Sequence, residues 1–382
     1  MADTIEYKCP ACGGTLEFDG KTQKLKCIYC GTEVDPEEFE SQHGSGVSAG
    51  FDNGVNGDAA QSDSGTPSFG GTDESGTQWQ SMSQDGWSPS EVEGMKVYSC
   101  QSCGAQIVAE ESTGATQCPY CGNNVVMTGA FAGDLKPDFI IPFQKDKKAA
   151  KEAYLQHLEG KSFLPGIFRN ENHIDEIKGV YVPFWLFSGD AQVNYNGVGR
   201  RIKTWRQGNT EYTATELWQV ERQGEAAFEY VPVNASSKMD DALMESIEPY
   251  DTKDMVPFKK AYLSGYLADR YDVDRNVSCQ TAYSRMKNST MSELHNTMAG
   301  YAGMEREAHN IAIKNSKYWY VLYPVWILNT TWRGEHYIFA MNGQTGKLVG
   351  DLPADSGSFW KYVGTRGAVL AAIAAAVIGF FF

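Results

Sequence analysis

Cys9-Pro-Ala-Cys12 and Cys27-Ile-Tyr-Cys30 enclose fourteen residues, and Cys100-Gln-Ser-Cys103 and Cys118-Pro-Tyr-Cys121 enclose another fourteen. A CxxC pair turns back on itself and presents two sulfurs about one turn apart, so two pairs close a tetrahedral tetrathiolate site. Glycine follows each pair (Gly13, Gly31, Gly104, Gly122), as the positive φ of such knuckles favours. A tyrosine stands two positions ahead of the first cysteine in both copies (Tyr7, Tyr98). Eight of the nine cysteines are thereby used, and the repetition of one spacing argues for two structural Zn²⁺ ions held by Cys9, Cys12, Cys27 and Cys30, and by Cys100, Cys103, Cys118 and Cys121. Rubredoxin-like iron is the alternative metal, since four thiolates suit it too. Disulfides would require an oxidising compartment, and residues 1–8 contain no apolar stretch of the kind that directs export. With four protein ligands each, both sites read as closed and structural, the metal supplying folding energy to segments too short to bury a core.

At 382 residues the chain has room for two or three units. Its charge of −15 is concentrated at the N-terminus, where residues 1–95 carry four lysines, no arginine and seventeen carboxylates. The second ribbon has one lysine, Lys96, against Glu110 and Glu111. Neither ribbon resembles the basic footprint that neutralises phosphates, so nucleic acid is an unlikely partner on charge.

Residues 41–90 turn to Gly, Ser, Asp, Asn and Gln, with scattered Phe51, Phe69, Trp79 and Trp87. Such a composition buries too little apolar area to offset its ordering entropy and predicts a disordered tether on which ribbon 1 searches a wide volume. Beyond ribbon 2, Ala149, Ala150, Ala153, Tyr154, Leu155 and Leu158 have helical spacing with Gly160 as a stop. Val180-Tyr-Val-Pro-Phe-Trp-Leu-Phe187 opens an antiparallel meander of four or five strands, with turns expected at Asn196-Gly197, Arg206-Gln-Gly208 and Arg222-Gln-Gly224. Residues 239–247, 259–271 and 276–313 read as helical, and Cys279 among them as a small buried apolar residue. Strands resume over 318–328, turn at Arg333-Gly334 and continue over 336–341. Pro183-Phe-Trp185 and Pro324-Val-Trp326 are alike, which marks either an internal duplication with an edge or bulge at each proline, or convergent core chemistry. Residues 363–382 are uncharged apart from Arg366, enough for about 30 Å of helix, flanked by Phe359, Trp360, Tyr362 and Lys361. A transmembrane helix is favoured there over a buried C-terminal one.

The predicted fold class is multidomain: zinc ribbon 1 (1–40), an acidic Gly/Ser-rich linker (41–95), zinc ribbon 2 (96–129), an α+β domain with antiparallel sheets (135–355) and one C-terminal transmembrane helix (363–382). This expectation places the protein in the cell membrane as a single-pass, tail-anchored chain, its N-terminal domains in the cytoplasm.

Catalytic patterns are missing. Asn342-Gly-Gln-Thr-Gly-Lys347 fails as a phosphate loop, because Met341 stands at the first glycine and Leu348 at the hydroxyl position. Six dispersed histidines include no HExxH, and no Gly-x-Ser-x-Gly elbow occurs. No catalytic residue, other cofactor or small-molecule substrate is identified, and the chain reads as a non-enzyme.

The double ribbon, Gly179-Val-Tyr-Val-Pro-Phe-Trp-Leu-Phe187, Asn342-Gly-Gln-Thr-Gly-Lys347 and Gly350-Asp-Leu-Pro353 together resemble a bacterial family of TFIIB-type zinc-ribbon membrane proteins. Some relatives carry a label borrowed from the primosomal helicase, whose nucleotide-binding motif this chain lacks. The resemblance implies association with SPFH-domain or phage-shock-protein-A-like partners at a lipid bilayer, and hence a membrane-anchored cytoplasmic adaptor or scaffold in envelope-stress assemblies. The rivals are a nucleic-acid-associated replication or transcription factor, and an enzyme with an unrecognised site in the α+β domain.

Overall fold

A computed structural model describes residues 8–43, 77–82, 87, 92, 95–110, 117–123, 125–130, 135–161 and 163–381. Ribbon 1 forms a three-stranded sheet of β1 (Leu16–Asp19), β2 (Lys24–Cys27) and β3 (Glu33–Val34), followed by a helix over Pro36–His43. The other described strands join one 12-stranded sheet. They are β4 (Gln80–Ser81); β5 (Met95–Cys100), β6 (Gln106–Glu110) and β7 (Val125–Ala130) of ribbon 2; β8 (Phe139–Ile140); β9 (Lys178–Gln207) and β10 (Thr210–Asn234); β11 (Val256–Pro257) and β12 (Leu267–Asp269); and β13 (Gly303–Trp332), β14 (Glu335–Asn342) and β15 (Leu348–Gly350).

The apolar run at the start of β9 is continuous because both faces of the sheet are covered. Side chains alternate across a strand. Tyr181, Trp185 and Phe187 enter one core with Tyr318, Tyr320 and Trp326, whereas Val180, Val182, Phe184 and Leu186 enter another with Val321, Tyr323, Val325 and Ile327. Ribbon 1 contributes Leu16, Phe18 and Leu25 to the first core. Ribbon 2 contributes Ile107, Ala109, Cys118 and Tyr120 to the second.

The expected meander is instead two very long strands, β9 and β10, joined by a third, β13, from further along the chain. β9 spans 30 residues, on the order of 100 Å if fully extended, and pairs antiparallel with β10 on one side and β13 on the other. Asn196 faces Glu221 and Ala308, so this Asn-Gly sits in mid-strand with its backbone satisfied on both sides. Arg222-Gln-Gly224 likewise continues β10. Only Gly208, at φ 63°, reverses the chain. Local turn propensity has yielded to two-sided pairing. The long strands bend at bulges, each containing a left-handed residue: Tyr230 between Phe228 and Val231, Arg306 between Glu305 and Ala308, and Asn315 between Lys314 and Lys317. The two Pro-x-Trp segments are antiparallel neighbours in the middle of the sheet, not at edges. Pro183 faces Leu322 and Pro324 faces Tyr181, and their carbonyls accept from the Ala235 and Gly343 N–H groups.

Helices form over Lys147–Leu158, capped by Asp146 through the Ala149 N–H at 2.8 Å, over Asp241–Ser246 and over Arg275–Asn296. Cys279 is buried on the last of these. The helical reading of 259–271 gives way to a 3-10 turn at Lys260–Leu263 and to β12, and residues from Gly303 onward are strand. In both places the apolar spacing serves the sheet.

Two expectations about mobility and location change. The tether falls largely on residues 44–76, outside the described residues, but Gln80 and Ser81 pair with β13 and Trp79 is 2% exposed, edge-on to Phe187. Ribbon 1 is docked on the body: Phe18 N–H donates to the Ser264 carbonyl (3.1 Å), Ser264 Oγ to the Leu16 carbonyl (2.7 Å) and Gln23 Nε2 to the Phe143 carbonyl (2.9 Å). The single-pass anchor expected over 363–382, and the membrane localisation built on it, is not upheld. Among the described residues no helix is long and apolar enough to cross a membrane. The final helix, Ser356–Phe381, carries Lys361, Thr365 and Arg366 in its first three turns. Its uncharged stretch, 367–381, covers about 22 Å of a hydrocarbon core roughly 30 Å thick.

Candidate metal centres

All eight cysteines singled out by spacing converge in two groups, Cys9, Cys12, Cys27 and Cys30, and Cys100, Cys103, Cys118 and Cys121, the sulfurs of each lying within 4.8 Å of one another. All are free thiols. The Cys9–Cys30 and Cys12–Cys27 sulfurs are 3.5 Å apart, as are Cys100–Cys121, and Cys103–Cys118 are 3.6 Å apart. A tetrahedral ion with metal–sulfur bonds of about 2.3 Å separates its ligands by about 3.8 Å. The donor set and its spacing therefore fit one tetrahedrally coordinated ion in each group.

One local mechanism builds all four knuckles. The N–H of Gly13, Gly31, Gly104 and Gly122 donates to the carbonyl of the first cysteine of its pair at 2.8 to 3.0 Å. Each glycine lies at φ between 72° and 75°, where a side chain would be strained. The return bonds run from Cys9 N to Gly14 O, Cys27 N to Thr32 O, Cys100 N to Ala105 O and Cys118 N to Asn123 O. Thr32 and Asn123 each stand two residues past the last cysteine of their centre. Thr32 Oγ1 lies 3.1 Å from Cys30 Sγ, and Asn123 Nδ2 donates to Cys121 Sγ at 3.5 Å. Sequence reasoning passed over both, although their shared offset was a usable signal.

The thiols within each group are unequally poised. Hydrogen bonds from Thr32, side chain first, bring Cys30 down to about 6. Burial pushes Cys121 up, but the Asn123 N–H and side chain together with Cys100 and Cys103 outweigh it and bring the thiol to about 7. In Cys12 the Gly14 N–H pulls down, yet the crowding of Cys30 and Cys27 raises it to about 12. Burial drives Cys118 up strongly. Several thiols facing one another cannot all ionise alone, and a divalent cation removes that conflict.

The centres differ in their surroundings. In the matching knuckles Cys27-Ile-Tyr-Cys30 and Cys118-Pro-Tyr-Cys121, Tyr29 is 74% exposed and Tyr120 only 4%. Tyr120 lies beside Asp269, a buried carboxylate on β12. Lys178 approaches the second centre from β9, donating to the Gln117 carbonyl at 2.9 Å. Burial lowers its pKa, and the neighbouring Cys118 and Glu176 oppose that shift. Asn342 and Gln344, from the motif tested as a phosphate loop, are buried: Asn342 Nδ2 donates to the Ile247 carbonyl (3.0 Å) and Gln344 Nε2 to the Asp251 carbonyl (2.9 Å), which makes that segment a turn that pins a loop.

Fold and site together define a protein with two four-cysteine groups that could each hold a metal ion, one set into a large mixed sheet and one docked on its face. The chain is 30% identical over 353 residues to the uncharacterized protein YdjG of Bacillus subtilis (strain 168), an alignment covering 92% of this chain and 91% of that protein. It belongs to the YdjG family. No family model matches the chain, and no solved structure matches it.

Proposed function

We propose that the protein is a zinc-dependent docking scaffold in which ribbon 2 is an internal strut and ribbon 1 is the surface offered to a protein partner. The carrying observation is the contrast between two equivalent knuckles. Ribbon 2 turns Tyr120 into the core, whereas ribbon 1 turns Ile28 (54% exposed) and Tyr29 outward. An exposed apolar and aromatic pair on a rigid, metal-braced turn has the character of an interface anchor. Zinc is the ion that four thiolates hold without redox chemistry, and four protein ligands leave no open position for a substrate, which supports a structural role. SPFH-domain and phage-shock-protein-A-like proteins are the partner class that the family resemblance supplies.

Charge speaks against a nucleic-acid role. The most basic exposed segment is the far end of β9, and its cations are engaged. Arg200 pairs with Glu305 (3.2 Å), Lys203 with Glu216 (2.6 Å) and Arg206 with Glu211 (3.2 Å), while Arg201 lies over the Trp218 and Tyr301 rings. The deciding experiment is crosslinking and capture from cells with the native chain and an Ile28→Ser/Tyr29→Ser double variant, before and after nuclease treatment. The scaffold reading expects one set of proteins captured by the native chain, insensitive to nuclease and lost in the variant. Capture that survives the double substitution, or vanishes with nuclease, refutes it.

A further inference from the structure

Where ribbon 1 docks, it leaves a cleft of about 930 Å³ between its strands, the Lys147–Leu158 helix and the start of β9. Pockets for small molecules fall at about 300 to 1,000 Å³, so the volume suits a small ligand and is too small for a protein domain. Ile177, Tyr266, Leu267 and Trp326 form apolar wall, and four lysines line the space. Two are engaged: Lys21 with Asp146 at 2.6 Å, and Lys26 with Glu33 at 3.6 Å and Asp19 at 4.0 Å. Lys147, at the exposed mouth, and Lys178, half-buried behind it, have no carboxylate ion pair among the described residues. Lys178 gives one hydrogen to the Gln117 carbonyl and retains two.

We propose that this cleft binds a small phosphate-bearing molecule, its phosphate held between the Lys147 and Lys178 ammonium groups and its remainder against Ile177, Tyr266 and Trp326. Two ammonium groups facing one partly desolvated space repel each other unless an anion lies between them. Of the three carboxylates that line the cleft, Asp146 is paired with Lys21 at 2.6 Å and Asp19 lies 4.0 Å from Lys26, while the exposed Glu17 carries no ion pair among the described residues, so four lysines face three carboxylates. Lysine rather than arginine suits a phosphate oxygen approached as a point charge, whereas a planar carboxylate favours the guanidinium fork.

The test is calorimetric titration of the full metal-loaded chain with inorganic pyrophosphate and, separately, adenosine diphosphate. One site per chain is expected, and tighter binding of the nucleotide would show that the apolar wall takes part. Lys147→Met and Lys178→Met should each weaken binding roughly tenfold or more, the scale of one charge-assisted hydrogen bond. Lys253→Met, on the other side of ribbon 1, should leave it unchanged. Lys178 also neighbours Cys118, so the metal content of every variant is measured, and Lys147→Met is the arm independent of either centre. No binding of either probe to protein carrying both metals overturns the proposal, and so does undiminished binding by Lys147→Met.

Discussion

Replacing Asp269 with asparagine should abolish a pH-dependent part of the protein's stability. Asp269 is 3% exposed. Burial, the largest influence, pushes its carboxyl up to about 7 from an ordinary 3.8, against the downward pull of the Ser236 hydroxyl that donates to it at 2.6 Å, and Asp272 adds to the rise. A carboxyl with a raised folded-state pKa binds its proton more tightly when folded, so protonation favours the native state. The contribution is full below about pH 4 and is lost as pH climbs through about 7, a total on the order of 4 kcal/mol. Between pH 6 and pH 8 the loss is about 1.4 kcal/mol. That interval is the useful one, because acid also displaces metal from thiolates.

Urea unfolding of native protein and the Asp269→Asn variant, both metal-loaded, at pH 6, 7 and 8 isolates the effect, since every other titrating group cancels in the difference. Relative to native protein, the variant should gain about 1.4 kcal/mol on going from pH 6 to pH 8. A difference that stays constant over that range would mean that Asp269 is ionised throughout, and would refute the reasoning.

Elemental analysis of reduced protein should find two zinc ions per chain, matching the two four-cysteine groups; mainly iron, or fewer than one zinc, would contradict the assignment. Cys118→Ser and Cys30→Ser should differ in reach. A structural zinc site is worth about 10 to 16 kcal/mol against a typical domain stability of about 5 to 15, so losing the buried centre should abolish hydrogen-exchange protection through 318–328, while losing the exposed one should loosen residues 8–34 alone. Gly20→Ala should undock ribbon 1 with both metals retained, because the added Cβ would lie 2.6 Å from the Phe143 carbonyl oxygen; faster exchange over 16–27 at unchanged metal content is the expected readout.

Chemistry written in short, local patterns was legible in the sequence. Each knuckle needs two cysteines and one glycine within a few residues of one another, and all eight converging cysteines follow from spacing. The Lys147–Leu158 helix and the apolar starts of β9 and the Tyr318 segment were legible for the same reason. What was hidden depends on partners far along the chain. Asn196-Gly197 is a turn by every local criterion and becomes mid-strand only because Glu221 and Ala308 pair with it from either side. Trp79 looked like an isolated aromatic in a polar tether, but Phe187 receives it. Lys178 is an ordinary strand-end lysine until Gln117 and Lys147 are brought beside it.

The same dependence explains why one motif has two fates. Tyr29 and Tyr120 occupy equivalent positions in near-identical knuckles, so nothing local distinguishes them. The difference lies in the adjoining strands. β6 of ribbon 2 pairs with β12, placing Ile107 and Val108 beside Asp269 and Ala268, and this draws its second knuckle, with Tyr120, over the interior. In ribbon 1 the strands pair only with one another, and the face they bury is that of Leu16, Phe18 and Leu25, each at most 3% exposed. Burial of three such side chains contributes roughly 5 to 9 kcal/mol before the cost of ordering the segment. That is enough to dock the ribbon without absorbing its second knuckle, and Ile28 and Tyr29 are left outside the core. Were β1 to β3 continuous with the large sheet, the exposed knuckle would be lost, and with it the surface on which a docking function depends.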